Sequence, residues 1–158
     1  MIRILRGVEV PLRDGTCTSA EIWLPDDDRP HPAILVRTPY EKEGAAPTAT
    51  VDTRMATARG YVVVLQDVRG RGASEGVFEP FVNEESDGVD SVAWVAEQPW
   101  CDGNVVMAGV SYVGATQWLA AVGAPPALRG IAPTLSSDDY GEGWSYRSGV
   151  AEYGFLTS

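Results

Sequence analysis

A serine becomes a nucleophile only when its hydroxyl stands clear of the backbone and hydrogen donors face the negative charge that forms as it attacks a carbonyl. Ser111 is the residue best placed for that chemistry. It lies in Gly109-Val110-Ser111-Tyr112-Val113-Gly114, read here on the nucleophile-elbow pattern G-x-S-x-G. The short pattern gains its meaning from its setting. The apolar run 104–108 before it reads as a buried strand, and the small-residue stretch 112–122 after it reads as a helix. Strand, turn and helix in that order are what such an elbow requires. Gly109 and Gly114 would leave room for a tight bend that lifts the Ser111 hydroxyl off the sheet. The helix start would then offer the Tyr112 amide to an oxyanion. The competing reading of Ser111 is an ordinary helix N-cap, worth about 1 kcal/mol to stability and nothing to chemistry.

Such a serine needs a base and a carboxylate to orient that base. The chain has one histidine, His31. It precedes the apolar run 33–36, so it belongs to the N-terminal edge of that strand, whereas Ser111 follows its own strand. Parallel strands put those positions on opposite rims, so His31 reads as a loop residue and not as the base. Asp138 and Asp139 follow the last strand and could reach the correct rim. Their alternative role is to cap a turn with Ser136 and Ser137.

The elements that must position these residues alternate. Residues 17–24 read as a strand closed by Pro25 and an aspartate turn, and 33–36 as a strand buried on both faces. Residues 48–59 have helical spacing with Val51, Met55 and Ala58 on one side, and Gly60 is the stop. A strand follows at 61–65, then a glycine-rich loop at 69–76. A helix over 86–97 turns Val89, Val92, Ala93 and Ala96 inward. Strand 104–108, helix 112–122 and strand 130–133 complete the series. Two opening strands can form a hairpin. The alternation after them demands right-handed crossovers and a mostly parallel sheet covered on both faces, an α/β fold. Past Thr134 the character changes: Tyr140, Trp144, Tyr146, Tyr153 and Phe155 lie among glycines and serines with no strand pattern.

The formal net charge of −10 over 158 residues argues against a phosphate-backbone partner. Cys17 and Cys101 lack the close pairing of a zinc or redox site. The N-terminus carries no long apolar stretch, which excludes a membrane span there and fits a cytoplasmic protein. The loop 69–76 lacks the Lys-Ser/Thr ending of a phosphate cradle, so Arg69, Arg71 and Glu75 read as structural.

Four segments in register carry a resemblance. They are Arg37-Thr38-Pro39-Tyr40-Glu41-Lys42, the loop 66–76, Pro99-Trp100-Cys101-Asp102-Gly103, and the elbow with its continuation to Trp118. Together they resemble the bacterial cocaine esterase family, which is grouped with the X-Pro dipeptidyl-peptidases, α-amino acid ester hydrolases and glutaryl acylases. The likeness runs from about Gly7 to Trp144. It implies an α/β-hydrolase fold and a serine hydrolase that cleaves ester or amide bonds, Xaa-Pro peptides among them, through an acyl-enzyme. It implies Ser111 as nucleophile, with the Tyr40 hydroxyl and the Tyr112 amide as the two oxyanion donors. Tyr40 is sensibly placed for this, since it follows its strand and so shares a rim with Ser111. Trp144 falls where the family's helical cap begins, and would line the acyl pocket or pack the cap. No cofactor or metal is implied, and the partner is a small ester, amide or short peptide.

The resemblance also implies that the triad histidine and aspartate lie beyond position 158. Residues 1–134 would then be the N-terminal part of the hydrolase core and 135–158 the start of the cap. Such a piece would turn over little substrate and be poorly soluble alone. Two alternatives stay open: a non-catalytic scaffold that kept the fold, and an esterase of another branch with Asp138 as its acid.

Overall fold

The computed structural model describes residues 2–44, 51–139, 141 and 145–151. Strands β1 (Arg3–Pro11) and β2 (Cys17–Leu24) form the opening antiparallel hairpin, with a bulge between Leu5 and Val8. Then come β3 (His31–Thr38), α1 (Thr53–Ala58), β4 (Val62–Asp67), α2 (Glu84–Ala96), β5 (Cys101–Val110), α3 (Tyr112–Val122) and β6 (Leu128–Thr134). The six strands form one sheet in the order β1-β2-β4-β3-β5-β6. β2 runs antiparallel to β4, while β3, β4, β5 and β6 are mutually parallel. This is the mostly parallel α/β sheet that the alternation of elements demands.

Side chains along β4 show why the apolar runs are continuous. Val62 and Val64 enter a core with Leu35, Val92, Val95 and Ala120, while Val63 and Leu65 enter another with Val36, Val51 and Val113. Successive side chains point to opposite faces, so a strand covered on both sides must be apolar at every position. Each such residue contributes on the order of 1.5–3 kcal/mol by its burial.

Three local expectations need correction. In α1 the buried face is Thr53 and Thr57, not Met55 and Ala58, which are exposed. The Thr57 hydroxyl donates to the Thr53 carbonyl at 2.6 Å, so Thr57 is buried with its polar atom satisfied. The helix starts at an Asp52 cap that accepts from the Met55 amide, and the expected positions 48–50 lie outside the described residues. In α2 the buried face is Glu84, Asp87, Gly88, Ser91, Val92 and Val95, and Ala93 is exposed. Polar residues hold half of that face, which an apolar template misses. Lastly, 135–158 is not without strands: β7 (Tyr146–Arg147) pairs with β8 (Val150–Ala151) across Ser148 and Gly149, both at positive φ (50° and 76°). Two left-handed residues in a two-residue loop match the twist of a tight hairpin.

Candidate active site

Ser111 sits between β5 and α3 at φ 59° and ψ −122°. For a residue with a side chain that conformation costs about 1–3 kcal/mol and persists only where its surroundings enforce it. The enforcement is visible. The Ser111 amide donates to the Thr134 carbonyl at the end of β6 at 2.9 Å, and its own carbonyl accepts from the Gly114 and Ala115 amides at 2.8 and 3.0 Å. The hydroxyl makes no capping bond to the helix, so the N-cap reading of Ser111 fails on geometry.

The glycines leave room, but the second does so one residue further on and against a different neighbour than the elbow pattern expects. The second glycine follows the serine by three residues, so the sequence is G-x-S-x-x-G and Val113 holds the place nearer the serine. Val113 is buried, and a Cβ on Gly109 would collide with its Cγ1. A Cβ on Gly114 would come within 2.5 Å of the Ser136 Cβ, just past β6. Gly109 therefore makes room for the helix, and Gly114 for the strand beside it.

Tyr112 opens α3, so its N–H has no acceptor within the helix and is open to another partner. Its side chain is buried in a clasp. The phenol donates to Glu84 Oε1 at 3.0 Å and accepts from the Phe81 amide at 3.0 Å, and the ring stacks on Phe81 with centroids 4.8 Å apart. Burial first, and the Glu84 charge second, push its pKa upward, so the phenol stays neutral. Glu84 in turn meets the fully buried Arg37. Arg37 Nη1 donates to the Glu84 carbonyl at 3.1 Å, and Nη2 lies 2.9 Å from Oε2. That last contact has the distance of an ion pair but not the angle of a hydrogen bond. Sequence reasoning missed this pair. Its one trace is a charged residue directly after the apolar run of β3.

Tyr40 follows β3, and its amide donates to the Thr38 hydroxyl at 3.0 Å. The residue is 46% exposed. β3 and β5 are adjacent and parallel, with Leu35 opposite Met107. Three residues further along both strands, Thr38 comes level with Val110, so Tyr40 and Ser111 leave neighbouring strand ends on one rim.

His31 lies elsewhere. It pairs with Cys101 at the start of β5, and its Nε2 is 2.8 Å from Asp27 Oδ1. The length of β5, ten residues at about 3.3 Å each, puts roughly 30 Å between it and Ser111. A hollow of about 540 Å³ surrounds His31, Asp27 and Gly60 on that far rim and touches neither Ser111 nor Tyr40. Asp138 is exposed. Asp139 caps its turn: Oδ1 accepts from the Gly141 amide, and its amide meets the Ser137 hydroxyl at 3.2 Å. Arg69 forks onto Asp87 at 2.8 and 2.9 Å and also reaches Asp14, while Glu75 accepts from the Cys17 amide. Trp144 lies outside the described residues. Among the described residues no cluster of histidine, cysteine and carboxylates could hold a metal.

The model of the X-Pro dipeptidyl-peptidase (S15) family matches residues 14–158. The chain belongs to that family. The cocaine esterase of Rhodococcus sp. (strain MB1 Bresler) is 46% identical over 138 residues, which cover 86% of this chain and 24% of that protein. A CocE/NonD family hydrolase from Staphylococcus aureus superposes with a TM-score of 0.87 at 27% identity, over 99% of this chain and 32% of that one. An α-amino acid ester hydrolase superposes at 0.78 with 26% identity, over 93% and 28%. The fold is accordingly that of the α/β hydrolases. The chain spans about a quarter of the length of the curated relatives it matches.

Proposed function

We propose that this chain is the nucleophile-bearing part of a serine acyl hydrolase of the S15 family. Ser111 attacks the carbonyl of an ester, an amide or an Xaa-Pro peptide. The Tyr40 hydroxyl and the Tyr112 amide take up the oxyanion. The acyl-enzyme that forms is released by water. A histidine and an aspartate from outside this chain act as base and orienter, residues 1–134 supply the core, and 135–158 begin a cap. Little turnover is expected of the chain by itself.

The observation that carries this reading is the Ser111 backbone, held at φ 59° with its hydroxyl uncapped between a buried strand and a helix start. A serine that serves only as a helix cap sits in extended backbone and spends its hydroxyl on the cap, and Ser111 does neither. The test is fluorophosphonate labelling of the full-length protein. The label should land on Ser111 and vanish in Ser111→Ala. Tyr40→Phe should label more slowly and lose a factor of about 10²–10³ in kcat. Labelling that survives Ser111→Ala would refute the nucleophile.

A further inference from the structure

The Tyr40 segment is gripped from one direction, by the end of β4 and the loop behind it. Arg71 Nε donates to the Pro39 carbonyl at 2.9 Å. Two residues past Tyr40, the Lys42 amide and ammonium both donate to the Asp67 carboxylate, at 2.6 and 2.8 Å. Lys42 and Asp67 are both buried. The Val68 amide ties the same loop to the Thr38 carbonyl at 3.0 Å. Asp67 Oδ2 also accepts from the Ala73 amide at 3.2 Å, which folds the loop back over the carboxylate. Gly72 permits that fold, because a Cβ there would collide with Asp67 Oδ2.

The same loop also holds the other donor. The Arg71 guanidinium lies 5.3 Å over the Phe78 ring, and Phe78 packs on Tyr112 with centroids 5.9 Å apart. A chain of contacts thus runs from Tyr112 through Phe78 and Arg71 to the peptide preceding Tyr40. A buried ion pair such as Lys42–Asp67 is a weak source of stability, since an apolar pair of similar volume does as well. What it supplies here is a fixed backbone position on one side of Tyr40, and Arg71 supplies the other.

We propose that Arg71 and Asp67 are positioning residues that set the place of the Tyr40 hydroxyl relative to Ser111 and the Tyr112 amide. The proposal rests on the oxyanion role of Tyr40 given above. Neither residue touches the substrate. Each acts through the loop that presents the phenol. Arginine suits the task because its planar group donates along its edge while its face lies on an aromatic ring.

The test is a double-mutant cycle in the full-length protein, with p-nitrophenyl acetate as substrate. Arg71→Met should lower kcat by roughly tenfold to a hundredfold, the range a misplaced catalytic group produces, with KM changed less than about twofold. In a Tyr40→Phe background the same substitution should cost less than about twofold, because the group it positions is gone. Arg71 is exposed, so the variant is expected to fold, and its melting temperature checks this. Asp67→Asn, which sets an amide against the three donors that now meet a carboxylate, should show the same loss of effect. An equal factor in both backgrounds, or no loss in the Tyr40 background, overturns the proposal while leaving the hydrolase reading intact. No effect of Tyr40→Phe itself removes the oxyanion role and this proposal together. Turnover in Ser111→Ala is the separate result that strikes the nucleophile.

Discussion

On the role proposed for Ser111, the cost of chemistry falls on its backbone. Its left-handed backbone is enforced by bonds to Thr134, Gly114 and Ala115, while its hydroxyl contributes no cap. The elbow therefore stores strain that a stable fold would not choose. Glycine relieves such strain, since it has no Cβ to clash, at an entropic cost of about 0.5–1 kcal/mol in the unfolded chain. Set against strain of about 1–3 kcal/mol, Ser111→Gly should stabilise the protein by about 1 kcal/mol while removing the proposed nucleophile. Ser111→Ala keeps the Cβ and should gain almost nothing. Urea unfolding of the three proteins checks this, and an alanine variant as stable as the glycine variant would show that the backbone is not the source of the strain. The strand–turn–helix context of the elbow was legible in the sequence. The spacing of its second glycine is equally plain in the sequence, and what the structure adds is the neighbour that requires it, Ser136 just past β6.

At the scale of elements, the legible parts were those with one simple driving force. α3 matches its expected bounds of 112–122 at both ends, because a small apolar stretch between a strand and Gly123 admits little else. β2 matches its expected 17–24 at both ends, while two strands further on are longer than expected: β3 was expected over 33–36 and spans His31–Thr38, and β5 was expected over 104–108 and spans Cys101–Val110. Ladder bonds continue into polar residues that hydropathy does not flag. The start of α2 was hidden for a related reason. Glu84 is buried, and only partners distant in sequence, the Arg37 guanidinium and the Tyr112 phenol, explain it. Arg37, Glu84 and Tyr112 tie β3, α2 and α3 together beneath the elbow. Removing one charge of such a pair leaves the other uncompensated in the core. Arg37→Met should therefore destabilise the fold by about 3–5 kcal/mol. Adding Glu84→Gln should recover most of that loss, because the side chain left behind is neutral and still accepts from the Tyr112 phenol. A thermal or urea melt of both variants decides it, and equal destabilisation of the single and double variants would mean that packing, not charge, holds the three elements.

Across the whole molecule, the same logic extends to pH. The turn between β1 and β2 is fastened to α2 and to the loop after β4 by two ion pairs, Arg13 with Asp90 at 2.7 Å and Asp14 with Arg69 at 2.8 Å. Hydrogen bonding to Arg69, then to the Thr16 backbone, holds the Asp14 carboxyl down at about 2. Burial raises the Asp90 carboxyl, but the hydrogen bonds and charge of Arg13 together lower it further than burial raises it. An aspartate in an unfolded chain titrates near about 3.9. A folded value below the unfolded one means the unfolded state binds protons first as pH falls. The contribution of these pairs is therefore complete above about pH 4 and is lost progressively as the pH falls toward 2. Net charge does not offset this loss, since the formal −10 at pH 7 passes through zero near pI 4.4 and the chain becomes cationic over the same window. The urea midpoint should accordingly be flat from about pH 7 to 5 and fall steeply between about pH 4 and 2. The double variant Asp14→Asn/Asp90→Asn should start lower and lose part of that slope, because two of the groups that take up protons on unfolding are gone. An unchanged slope in the double variant would assign the acid sensitivity to other carboxylates, Asp27 first among them. Its carboxyl is held low by Arg29 and then by His31 on the far rim, so the deciding measurement would repeat the titration in Asp27→Asn.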